Sequence, residues 1–236
     1  VLRSPKGEIS LLQVWKARQV VNGISHLFKN PFSAEQIRPG SLPFFFPPGR
    51  TPESLWERFC RLGGQAQILG KHGSGKTSLI LALLAASPWQ QVHGRVICVR
   101  DRQPRTLAAL KEISDLRAGG LVVVDGFEQW LPLGQMCVIF YTRLKTLKLL
   151  VTGHKHNFLP VLIELRPDWR LASQLVGLLL REAAEERRAQ GLPPVLIPEA
   201  IVYKVFHDCH GNLREMFFRL YDIYEESLRG SDGPSG

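Results

Sequence analysis

The chain has 236 residues, 44% of them hydrophobic, and a formal net charge of +9 from 30 Lys and Arg against 21 Asp and Glu. That is enough apolar chain to bury a large core in one domain, or in one domain with a small appendage. No apolar run approaches the ~18 residues of a membrane span, no signal-peptide pattern is visible, and the four cysteines (Cys60, Cys98, Cys137, Cys209) contain no C-x-x-C pair, so reduced thiols and a cytoplasmic protein are the expectation rather than a disulfide framework.

In chain order, residues 1–25 read as a helix, because Leu11, Leu12, Val14, Trp15, Val20 and Val21 recur near the helical period. From Asn30-Pro31-Phe32 to Phe44-Phe45-Phe46-Pro47-Pro48-Gly49 there are too many prolines for a helix or a central strand. Thr51-Pro52-Glu53 is a helix start, with a cap, a first-turn proline and an acid in the first turn, and the helix runs to Gly63-Gly64. Ala66–Leu69 reads as a strand and Ser78–Ala86 as a buried helix. Strands and helices then alternate: a strand over 95–100, a helix over 106–117, Leu121–Val124 ending in Asp125, a helix over 135–145, and strands at 149–152 and 161–165. Continuous apolar strands alternating with helices predict an α/β fold with a parallel sheet covered by helices. After Arg166 only helices follow, at 169–190, 199–207 and 212–228, broken by Pro193-Pro194 and Pro198. The expected division is an N-terminal helix and pre-core segment (1–62), a core (63–166), a helical C-terminal part (167–229) and a flexible Gly/Ser/Pro-rich tail (230–236).

Between the strand at 66–69 and the helix at 78–86 lies Gly70-Lys71-His72-Gly73-Ser74-Gly75-Lys76-Thr77, which matches the phosphate-binding pattern G-x-x-x-x-G-K-[ST] at every specified position. Gly70, Gly73 and Gly75 lack Cβ, so the loop can curl its N–H groups around a phosphate, and the helix that opens with Ser78 adds its own unpaired N–H groups. In that arrangement Lys76 reaches the β- and γ-phosphates and the Thr77 hydroxyl ligates Mg²⁺. Asp125 closes an apolar strand about fifty residues later, where a carboxylate holds Mg²⁺ through its water shell. Hydrolysis also needs a group to orient or deprotonate water. Glu128 is the nearest candidate, the alternative being an exposed turn carboxylate, and Gln129 beside it could orient water without being a base. Thr152 and His154 follow the next strand, where a polar group would face the γ-phosphate; a plain polar strand-end turn is the other reading. His207, Cys209 and His210 cluster without zinc-ligand spacing and read as a helix end before Gly211. The charge permits nucleic-acid binding without establishing it: Arg181, Arg187 and Arg188 alternate with Glu182, Glu185 and Glu186 as on a solvated helix face.

On these residues the chain resembles the AAA+ ATPases and their origin-recognition (ORC)-like and STAND relatives, within the P-loop NTPases. The likeness covers about residues 26–228. It rests on the 70–77 loop, on Val122-Val123-Val124-Asp125, and on Pro198-Glu199-Ala200-Ile201 leading to His210-Gly211-Asn212-Leu213-Arg214-Glu215, which is similar to the family's G-N-x-R second-sensor motif. The resemblance implies that 167–229 is a helical lid and that Arg214 approaches the γ-phosphate. It also implies that Thr152 or His154 is the first sensor, and that Asn30-Pro31-Phe32 corresponds to the adenine-contacting segment. Asp125-Gly126-Phe127-Glu128 is closer to the D-G-x-[DE] form of NACHT-type STAND proteins than to adjacent Asp-Glu, and Lys155 or Arg143 lies near the region of an arginine finger. The chain is also similar to small stand-alone bacterial ATPases with an H-G-S-G-K loop. No N-K-x-D guanine motif is present, which favours ATP over GTP.

The implied function is an ATP-binding, Mg²⁺-dependent ATPase acting as a nucleotide switch or remodelling module. A nucleic-acid-associated ATPase is the alternative, and a small-molecule or nucleotide kinase a weaker one. ATP is the expected ligand; nucleic acid, a protein client and a second copy of the chain stay open as partners.

Overall fold

Residues 30–99 and 106–231 are described by the structure, a computed structural model. The expected helix over 1–25, the end of the strand at Arg100 and most of the 230–236 tail lie outside them. The chain forms two compact units. One holds Phe46–Gly70 and Lys76–Leu165; the other holds residues 30–45, Lys71–Gly75 and the chain from Arg166 on.

The first unit opens with α1 (Pro52–Arg61). Thr51 caps it: its Oγ1 accepts from the Ser54 backbone N–H at 3.2 Å, while the Thr51 N–H donates to Ser54 Oγ at 2.9 Å. Then follow β1 (Gln65–Gly70), α2 (Lys76–Ala85), β2 (Gly94–Cys98), α3 (Thr106–Ser114), β3 (Leu121–Asp125), α4 (Pro132–Leu144), β4 (Lys148–Gly153) and β5 (Val161–Leu165). The expected α/β class is what the structure shows. Helix α3 stops three residues before the predicted Arg117, and α4 starts at Pro132, three before the predicted Gln135.

The five strands form one all-parallel sheet in the order β2-β3-β4-β1-β5. The chain therefore leaves β1 in one direction across the sheet and makes its later crossovers in the other. Right-handed crossovers then send α2 to one face and α3 and α4 to the opposite face. Packing agrees with this. Val122 and Val124 of β3 and Leu149 and Val151 of β4 share a core with Ala109 and Ile113 of α3 and Val138 and Ile139 of α4. Their alternates Val123 and Leu150 point the other way and are also buried. On α1 and just after α2, Trp56, Phe59 and Trp89 pack ring against ring, and Trp89 Nε1 donates to Pro52 O at 2.8 Å. The direction of the crossovers reverses between β1 and β4, and in open parallel sheets ligands collect at the carboxyl ends beside such a reversal.

The second unit is built on α5 (Trp169–Ala189), α6 (Glu199–Asp208) and α7 (Leu213–Ser231). Asp168 caps α5 by accepting from the Leu171 N–H at 2.8 Å. Ala172, Leu175, Val176 and Leu179 form the apolar stripe of α5 and meet Val202, Phe206, Met216 and Leu220 of the other two helices. Phe32 enters this core, stacked on Phe217 and edge-on to Tyr224. No helix among the described residues is long and apolar enough to cross a membrane, and none of the four cysteines is in a disulfide.

Candidate functional site

The loop from Gly70 to Thr77 is framed by two regular elements. Gly70 is the last residue of β1 and pairs with Leu165, and Lys76 is the first residue of α2. Gly73 and Gly75 take φ of +70° and +89°, angles that disfavour any side chain. Lys71 and His72 are exposed, Ser78 is half-buried, and Ser74 is buried with an Oγ that has no partner among the described residues.

Lys76, Thr77, Asp125, Glu128, Thr152 and His154 come together in the first unit. Lys76 is 9% exposed; its Nζ donates to Gly70 O at 2.7 Å and lies 3.1 Å from His154 Nδ1. Thr77 Oγ1 donates to Asp125 Oδ2 at 2.8 Å. Thr152 Oγ1 donates to the other carboxylate oxygen, Oδ1, at 2.9 Å and accepts from the Gly126 N–H at 2.8 Å. His154 Nε2 stands 2.8 Å from Glu128 Oε1, and its Nδ1 is also 2.9 Å from Gly70 O. Topology explains the convergence. Strand β4 is inserted between β1 and β3, so the residues past its carboxyl end land between Gly70 and Lys76 on one side and the carboxylates after β3 on the other.

Gly126 makes the Asp-Gly-x-Glu spacing work. It has φ +88°, and a Cβ there would overlap Val99 O. The backward turn it allows lifts Glu128, in the short 3-10 turn Phe127–Gln129, toward His154. Glu128 is not an exposed turn carboxylate: its side chain is 28% exposed, and Oε2 is buried with no partner among the described residues. Gln129 is engaged elsewhere, its Nε2 donating to Val99 O at 2.7 Å. Arg143 donates from Nε to Gln65 Oε1 at 2.8 Å, at the amino end of β1 and therefore away from the loop, while Lys155 is exposed.

Asn30 and Arg214 belong to the second unit. Asn30 is buried and donates from Nδ2 to Tyr221 O at 2.9 Å and to Glu225 Oε1 at 2.8 Å, while its Oδ1 accepts from the Phe32 N–H at 3.0 Å. Its amide thus anchors the 30–32 segment to α7. Arg214 is exposed, one residue into α7. Within the same unit a Cβ on Gly73 would overlap Asn212 Oδ1 and lie 3.1 Å from Arg214 N. Asn212 Oδ1 also accepts from the Glu215 N–H at 3.3 Å, as the first-turn cap of α7. His207, Cys209 and His210 mark a helix end: α6 stops at Asp208, and His210 and Gly211 turn the chain with φ of 50° and 77°. Among the described residues no group of three His, Cys, Asp or Glu side chains could hold a metal ion.

Each of these residues of the first unit is legible singly in the sequence as a polar residue near a strand's carboxyl end. Their connections are not. The Lys76–His154–Glu128 chain depends on strand order, which no local period in the sequence encodes. No protein-family model matches the chain, and no curated protein matches it at a significant level.

Proposed function

We propose that the chain binds Mg-ATP on the Gly70–Thr77 loop and hydrolyses it, working as a nucleotide switch or remodelling ATPase of the P-loop class. The observation that carries this reading is the pair Thr77 Oγ1 and Asp125 Oδ2, 2.8 Å apart, next to the buried Lys76 ammonium. A hydroxyl and a carboxylate are oxygen donors of the kind a hard cation takes, and Mg²⁺ fills its remaining positions with water and substrate phosphate, so two protein oxygens suffice. Bound there, Mg²⁺ would neutralise charge on the phosphates. Thr152 would keep the Asp125 carboxylate oriented, and Glu128 would take the proton of the attacking water. Contact between Arg214 and the γ-phosphate rests on the G-N-x-R resemblance alone, as does an adenine contact by the Asn30 segment.

Mg-ATP at a hundredfold excess over its Kd should raise unfolding stability by about 2.7 kcal/mol. The rise should shrink when Mg²⁺ is chelated and vanish in Lys76→Ala. A melting temperature indifferent to Mg-ATP would overturn the reading. The +9 charge supports a second reading, an ATPase that works on nucleic acid. On that reading turnover responds to added DNA or RNA, and binding weakens steeply with salt.

A further inference from the structure

The geometry points to His154 as a positioning residue that wires the loop lysine to the base: Lys76 fixes the tautomer of His154, and His154 orients Glu128. This rests on the proposal that the loop binds ATP and adds a residue role to it.

The two nitrogens of the imidazole face different partners. Nε2 lies 2.8 Å from a carboxylate oxygen of Glu128, which can only accept, so Nε2 carries a hydrogen. Nδ1 lies 3.1 Å from the Lys76 ammonium, which can only donate, and 2.9 Å from Gly70 O, which can only accept. Gly70 O stands 2.7 Å from Lys76 Nζ and 2.9 Å from Nδ1 and can accept from either; in the proposed arrangement it accepts from Lys76, and Nδ1 accepts from the same ammonium. A ring protonated on Nε2 alone gives Glu128 its donor, lets Nδ1 accept from Lys76 and keeps a second cation away from that ammonium, and it is the form the proposal assigns. On the far side, Glu128 has Oε1 held by His154 while Oε2 is buried without a partner among the described residues. A buried carboxylate oxygen left unpaired costs on the order of 1–3 kcal/mol, so its arrangement suits an incoming donor. Water is that donor. Oε2 takes one proton from it, the water oxygen forms a bond to the terminal phosphorus, and the bond from that phosphorus to the diphosphate breaks with its electron pair leaving on the diphosphate. His154 does not accept the proton; it holds the other oxygen still. This is a base held by a third group, itself set by the residue that meets the phosphate.

Two measurements test this. In nucleotide-free protein, the imidazole ¹⁵N shifts of His154 should show a protonated Nε2 and a bare Nδ1, and both Lys76→Met and Glu128→Gln should move them. A ring protonated on Nδ1, or shifts that ignore both substitutions, overturns the relay whether or not ATP binds. In turnover assays, His154→Ala should lower kcat about 10- to 100-fold, a part of what a general base supplies, with the Kd for ATP within about twofold. His154→Gln, which restores an N–H at the Nε2 position, should recover most of the loss. In a Glu128→Gln background, His154→Ala should slow turnover no further, because residues acting as a unit are not additive. An unchanged kcat in His154→Ala, or the same fold-loss in both backgrounds, overturns the proposal. Failure to bind ATP at all would overturn the proposed function instead, and the ¹⁵N shifts would still decide the relay.

Discussion

Thr152 is 1% exposed, and its one hydroxyl serves two neighbours, donating to Asp125 Oδ1 and accepting from the Gly126 N–H. Valine has nearly the same shape and neither capacity. Thr152→Val should therefore leave a carboxylate oxygen and a backbone N–H short of a partner and cost about 1–3 kcal/mol. The loss should appear as a lower urea midpoint at unchanged m-value. In the sequence, Thr152 and His154 competed for one place. In the structure they have different neighbours: Thr152 is the last buried side chain of β4 and reaches Asp125, whereas His154 lies past the strand end, between Lys76 and Glu128. Period-2 alternation would put both on one side of an extended chain, and it cannot see the bend that separates their tasks.

Helix ends show which local signals suffice. The start of α1 was legible because Thr-Pro-Glu is a run of three independent preferences. Its reciprocal cap was not, since Ser54 stands where Glu or Gln usually completes the box. The early end of α3 has a local cause too: Ser114 turns its hydroxyl back to Lys111 O at 2.7 Å, competing with the helix that the apolar pattern would have prolonged. On α1, Glu53 carries a testable consequence. Its carboxyl is held below its ordinary range, first by its own backbone N–H and then by the Thr51 hydroxyl. A carboxyl with a lower pKa folded than unfolded stabilises the fold above the unfolded pKa and loses that contribution as pH falls through the folded one. Glu53→Gln should thus melt slightly below the parent protein at neutral pH, and the difference should close as pH drops below about 4. Melting temperatures of the two proteins across pH 2–8 (roughly the carboxylate window) would check it.

For the whole molecule, alternation of apolar strands with helices was enough to read a parallel sheet, but not its order. Strand order is a matter of which distant edges meet, and no local period encodes it. The distribution of thiols checks the packing of both units at once. Cys60 and Cys137 are exposed, whereas Cys209 is 3% exposed at the end of α6, and burial pushes its thiol above the ordinary range. Brief alkylation near pH 8, close to an ordinary thiol pKa, should label Cys60 and Cys137 in the native protein and reach Cys209 only in denaturant. Mass mapping of the labelled peptides reads this directly, and fast native labelling of Cys209 would contradict the packing of the helical unit.

The position of β1 sets a timetable for the growing chain. Its first residue, Gln65, pairs with Leu149 and its last, Gly70, with Leu165, so both of its neighbours are made after β2 and β3. A ribosome-bound fragment ending before Lys148 can pair β2 with β3 but leaves the loop-bearing strand with bare edges on both sides. Such non-local pairing is slow and exposes apolar strand surface in the meantime. Thr77 and Asp125 therefore become neighbours only when the middle strand arrives, so their hydrogen bond is among the last features of the sheet to form.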